Sequence, residues 1–181
     1  MKRNFNRRKF LKLGMLAAAL PLPAAASAWR AAPERRLSFH NLHTGESVNL
    51  PYWIQGDYVP ESLAQINHVL RDFRNNQVAA IDTRLLDLLD RVKATLGTSQ
   101  AFQVISGYRS PATNHMLAEH SSGVAKHSLH MEGKAIDIRI PGIQLADLRR
   151  TGLSLQSGGV GYYPASDFVH LDVGRVRTWH G

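Results

Sequence analysis

The sequence predicts an α+β domain in which helices pack on a small, mainly antiparallel sheet. Three observations carry this reading. Leu85, Leu88, Leu89, Val92 and Leu96 recur at helical spacing. Ile136, Ile138 and Ile140 alternate with polar residues, as do Val169, Leu171 and Val173, at the period of two that marks a strand. The helical segments come mainly before the alternating ones, which suggests helices first and the sheet afterwards.

Taken in order, residues 37–53 read as a hairpin with its turn at His43-Thr44-Gly45-Glu46. Residues 61–75 place Leu63, Ile66, Leu70 and Phe73 on one helical stripe behind Pro60. His68 within that helix reads as packing rather than chemistry. The second helix opens at Asp82, a good N-cap, and stops at Gly97. A short strand is expected at 101–106, a helix at 112–120 and another short helix at 143–150. Gly158, Gly159 and Gly161 are not followed by Gly-Lys-Ser/Thr, so they form no phosphate loop; turn-making and close backbone approach both suit them.

The formal charge of +8 looks at first like that of a nucleic-acid binder. Six of the 22 basic residues (Lys2, Arg3, Arg7, Arg8, Lys9 and Lys12) lie in the first 28 positions, which contain no acid. The other 16 face 14 acidic residues, a net of +2, so the basic excess reads as an address and no nucleic-acid partner is expected. Cysteine is absent, which excludes disulfides, thiolate metal sites, a lipoprotein anchor and a cysteine nucleophile.

Asn6-Arg7-Arg8-Lys9-Phe10-Leu11-Lys12 resembles the twin-arginine export signal. An apolar run follows, interrupted by Pro21 and Pro23, and Ala26-Ser27-Ala28 supplies small residues for signal peptidase. A membrane span needs about 20 apolar residues, so a cleaved leader over 1–28 is the reading, with Trp29 as the mature N-terminus and no stable membrane insertion afterwards. Residues 29–36 follow as a linker and 37–181 as the domain, which is expected to work in the periplasm.

Metal chemistry is suggested by two strands. With the isoleucines of 135–140 on one face, Asp137 projects from the other. The same alternation places His170 and Asp172 opposite Val169, Leu171 and Val173. His130 lies seven residues before Asp137, and Gly133 between them lets the chain turn back. Two imidazoles and a carboxylate make a three-ligand zinc site with a fourth position open to water, the mark of a catalytic rather than a structural site. Spacing alone is weak, because chance gives about 0.4 His-x6-Asp matches in a chain of this composition. The neighbouring motifs decide it.

Ser106-Gly107-Tyr108-Arg109-Ser110, Ser128-Leu129-His130 with Gly133, Ala135 and Asp137, Gly159-Val160-Gly161-Tyr162-Tyr163-Pro164, and Phe168-Val169-His170-Leu171-Asp172 occur in this order, with Arg175 and Trp179 after them. Together they resemble the zinc D-alanyl-D-alanine carboxypeptidase and murein endopeptidase superfamily across nearly the whole chain. The resemblance implies the hedgehog/D-Ala-D-Ala-peptidase-like α+β fold and Zn2+ on His130, Asp137 and His170. It also implies hydrolysis of peptidoglycan stem peptides, above all cross-links between two diaminopimelate residues.

Arg109 is the candidate to hold a developing oxyanion or a substrate carboxylate. The proton-transfer group stays open. Some relatives carry a glutamate three residues before the last ligand, where this chain has Asp167, one carbon shorter. Others carry a histidine two residues before it, where this chain has Phe168. Asp172 shares the face of His170 and suits either a base or a partner that fixes an imidazole, and is preferred to Asp167. Rival readings are a D-alanyl carboxypeptidase and a non-catalytic wall-binding module on the same fold. His130-Met131-Glu132 does not signal a nucleobase deaminase, since the cysteine pair is missing. A serine hydrolase lacks its Gly-x-Ser-x-Gly elbow.

Overall fold

The computed structural model describes residues 33–120 and 125–181. The proposed leader, 1–28, lies outside them. One eight-stranded sheet organises the domain: β1 (Glu34–Asn41), β2 (Ser47–Ile54), β3 (Asp57–Tyr58), β4 (Phe102–Ser106), β5 (Ala135–Arg139), β6 (Gly159–Tyr163), β7 (Phe168–Asp172) and β8 (Arg177–His180). Across the sheet the order is β3-β2-β1-β4-β5-β7-β6-β8. The β1–β4 and β6–β8 pairs are parallel and the other pairs antiparallel. The α+β class and the antiparallel majority therefore hold, but the sheet is larger than expected and begins before the first helix.

Four helices accompany it: α1 (Pro60–Val69), α2 (Thr83–Leu96), α3 (Pro111–His120) and α4 (Leu145–Ser154). Asp82 caps α2 by accepting the Arg84 N–H, and Gly97 ends it in the left-handed region at φ 62°. Leu85, Leu86, Leu88, Leu89 and Val92 of α2 are buried, each contributing about 1.5–3 kcal/mol. They join Leu37, Phe39, Phe102, Ile136, Ile138, Val169 and Leu171 in one core. α2 packs on β1 and α4, and α4 on β6 and β7. Gly152 permits the last contact, since a Cβ there would stand 2.8 Å from the Leu171 side chain. Among the described residues no helix is long and apolar enough to cross a membrane.

Three boundaries and two strands differ from the sequence reading, each for a physical reason. β1 starts at Glu34, inside the stretch read as linker; Arg35 there pairs with Asp87 and lies over the Trp53 ring. α1 stops at Val69 instead of continuing to 75, because Asp72 turns inward, 1% exposed, to accept the Ser110 and Arg74 N–H groups. α4 runs on to Ser154, since Gly152 is used for packing rather than for a stop. β6 and β8 were not expected as strands, because glycine spacing and polar ends disguise their alternation.

Candidate metal centre

β5 and β7 are antiparallel neighbours in which Asp137 stands directly opposite His170. The row extends sideways: Ser106 of β4 pairs with Asp137, Gly161 of β6 with His170, and Trp179 of β8 with Gly161. This face is opposite the isoleucine core, as alternation requires. His130 arrives from a single 3₁₀ turn, Leu129–Glu132. Ser128 accepts the His130 N–H at the start of that turn, and Gly133 closes it at φ 64°. A Cβ at Gly133 would collide with the Ala80 carbonyl, so only glycine fits the return toward Asp137.

The three side chains converge. His130 Nε2 lies 3.2 Å from His170 Nδ1 and 3.3 Å from Asp137 Oδ2, and His170 Nδ1 lies 2.9 Å from Asp137 Oδ1. All three residues are buried. The remaining ring nitrogens are committed elsewhere. His130 Nδ1–H donates to the Gly107 carbonyl at 2.7 Å, and His170 Nε2–H donates to Asp172 Oδ2 at 3.1 Å. Both imidazoles thus present a lone pair to the same point as a carboxylate, the donor set and tautomers that a divalent ion such as zinc requires. The residues present fit the metal.

Electrostatics agree. Burial alone would raise the Asp137 carboxyl, but His130 and His170 hold it well below the usual carboxylate range. Burial alone would lower His170, yet hydrogen bonds to Asp137 and Asp172 push it up to about 9. A metal ion binding there must displace that proton, so affinity falls as pH drops.

Asp172 lies beneath His170 and is 0% exposed. Its Oδ1 accepts from Gly159 N at 2.9 Å, Gly174 N at 2.8 Å and Arg177 Nη1 at 3.1 Å, and its Oδ2 accepts from His170 and from Arg177 Nη2 at 2.7 Å. Burial would raise this carboxyl, but these donors hold it well below the ordinary range. Gly159 and Gly161 explain how β8 reaches in. A Cβ at Gly159 would meet Arg177 Nη1 at 2.5 Å, and one at Gly161 would meet the Trp179 ring at 2.6 Å. Each glycine leaves a gap that a β8 side chain crosses, Arg177 to Asp172 and Trp179 to His170, with the last two rings 5.1 Å apart.

Arg109 is brought to the same place, its guanidinium 3.7 Å from Asp137 Oδ2 and only 12% exposed. Among the described residues its Nε has no hydrogen-bond partner, and its other contacts, to Ser106 and Asn114, are long at 3.4 Å. A buried guanidinium so sparsely paired is free to receive an anion. Asp167 is not brought to the site. It is 62% exposed, sits at φ 54° after a turn, and pairs with Arg139 at 2.5 Å.

His130, Asp137 and His170 open into a cleft of about 440 Å³ also lined by Arg109, His127, Tyr163, Phe168, Arg177 and Trp179. Neither Asp167 nor Asp172 lines it. The sequence motifs include Arg175 but not Arg177, whose one signal is alternation with Trp179 opposite two glycines.

A family profile described as peptidoglycan L,D-endopeptidase MepK matches residues 29–179. The peptidoglycan L,D-endopeptidase MepK of Escherichia coli K12 is 48% identical over 177 residues, covering 96% of this chain and 97% of its own. The protein of the same name from Shigella flexneri matches equally. A probable peptidoglycan L,D-endopeptidase MepK from Haemophilus influenzae is 42% identical over 179 residues, covering 97% and 96%. With the family profile covering residues 29–179 and these relatives matching nearly the whole of both chains, the chain belongs to the peptidoglycan L,D-endopeptidase MepK family.

Proposed function

We propose that this protein is a zinc-dependent endopeptidase of peptidoglycan that hydrolyses cross-links between diaminopimelate residues, on the hedgehog/D-Ala-D-Ala-peptidase-like fold. The observation that carries the reading is a buried His130–Asp137–His170 set opening into a substrate-sized cleft, in a chain of this family. Zinc on those ligands supplies Lewis-acid polarisation of a carbonyl and an activated water.

The chain's own residues do the rest. Gly107 and Asp172 each hold one imidazole in the tautomer that faces the metal. Arg109 receives the oxyanion that develops on the scissile carbonyl, or a substrate carboxylate beside it. Asp172 acts through His170, since its acceptors are all engaged below the imidazole. Trp179, Tyr163 and Phe168 wall the cleft and keep water from the reacting centre. Residues 1–28 act as a twin-arginine leader that delivers the domain to the periplasm, where stem peptides are its substrate.

Two purified muropeptide dimers test this, one joined through two diaminopimelates and one through D-alanine and diaminopimelate. The first is expected to split into monomers, chelator to stop the reaction and zinc to restore it. Release of free D-alanine from intact stems would make the enzyme a carboxypeptidase. No product with zinc present would leave a wall-binding module.

A further inference from the structure

Tyr163 belongs to a motif whose chemistry the ligands and Arg109 do not account for. Alternation along β6 puts it on the metal face, two residues beyond Gly161, which stands opposite His170. Its ring is stacked on Phe168 with centroids 4.5 Å apart and planes at 19°, so the side chain is held in place. The phenol oxygen accepts the Trp179 Nε1–H at 2.8 Å. It makes no other hydrogen bond among the described residues, so the O–H proton is free to be donated, and the residue lines the cleft. Arg109 lines the same cleft. A fixed hydroxyl donor thus shares the cleft with a guanidinium and three ligand atoms, as oxyanion stabilisation requires.

We propose that Tyr163 is a catalytic residue that donates its phenolic O–H to the scissile carbonyl oxygen as negative charge develops there, alongside Arg109. The inference rests on the endopeptidase reading. The alternative is that Tyr163 only anchors Trp179.

Tyr163→Phe keeps the ring and its stacking while removing the hydroxyl. On the dimer joined through two diaminopimelates, kcat is expected to fall about 10²-fold with KM and zinc affinity unchanged. Calorimetric affinity for a phosphinate analogue of that dimer, which carries the tetrahedral oxyanion, should fall by the same factor. Trp179→Phe removes the indole N–H together with part of the ring packed on His170, so its loss of kcat should come with weaker zinc binding, which Tyr163→Phe leaves unchanged. Wild-type kcat in Tyr163→Phe would overturn the inference, as would equal losses in both variants accompanied by weaker zinc binding. Failure of the wild-type protein to split the dimer would instead remove the endopeptidase reading itself.

Discussion

Alanine at His130, Asp137 or His170, one at a time, is expected to abolish both metal binding and peptide hydrolysis while leaving the fold in place. Each replacement leaves two donors where three converge, and the open position can then no longer be held in one geometry. The fold survives because the core lies on the other face of the same strands: Ile136 and Ile138 flank Asp137, and Val169 and Leu171 flank His170, all fully buried. Far-UV circular dichroism should therefore match the parent protein. Bound metal stabilises the native state by about 2.7 kcal/mol when free metal is a hundred times Kd, so the parent's Tm should rise with zinc and the variants' should not. A variant that keeps stoichiometric zinc by elemental analysis removes its residue from the ligand set.

The second large effect is expected at Asp172, and it separates two carboxylates that sequence alone left in competition. Asp172→Asn places an amide NH2 where only donors approach, against His170, Arg177 or the Gly159 and Gly174 N–H groups. One of those bonds must break, the imidazole loosens, and zinc affinity should fall about 10–100-fold, with turnover recovering as zinc is raised. Because the folded-state carboxyl is held well below its unfolded value, its contribution is present above the ordinary carboxylate range and lost only as pH falls through the folded value. The effect of the substitution is thus constant around neutral pH. Asp167→Asn should change little, since it removes one exposed ion pair worth about 0–1 kcal/mol. Normal turnover and zinc affinity in Asp172→Asn, with turnover lost in Asp167→Asn, would reverse the assignment and make Asp167 the base.

The parts of the molecule legible in the sequence are those written in local periodicity. The α2 leucines, the Asp82 and Gly97 ends, and the two strands that project Asp137 and His170 needed only spacing and caps. Gly133 was readable too, because a turn back toward Asp137 demands a left-handed residue. What stayed hidden depends on contacts between distant segments. Nothing local says that Asp72 turns inward to hold Ser110 and so ends α1 early. For Gly159 and Gly161 the sequence leaves turn-making and close approach open, because their purpose is space for Arg177 and Trp179, which each lie eighteen positions later on a strand of their own. The roles of Asp172 and Asp167 likewise depended on burial: both precede or follow His170 closely, yet one is sealed beneath it and the other faces solvent.

Anomalous diffraction from zinc-loaded crystals would locate directly the single zinc ion assigned to His130, Asp137 and His170. Data collected on either side of the zinc edge should show a single peak in this cleft. It should lie about 2.0–2.2 Å from His130 Nε2, an Asp137 carboxylate oxygen and His170 Nδ1. His170 Nε2 should remain on Asp172. A peak elsewhere, or zinc bound through His170 Nε2 with Asp172 displaced, would rule out this ligand set.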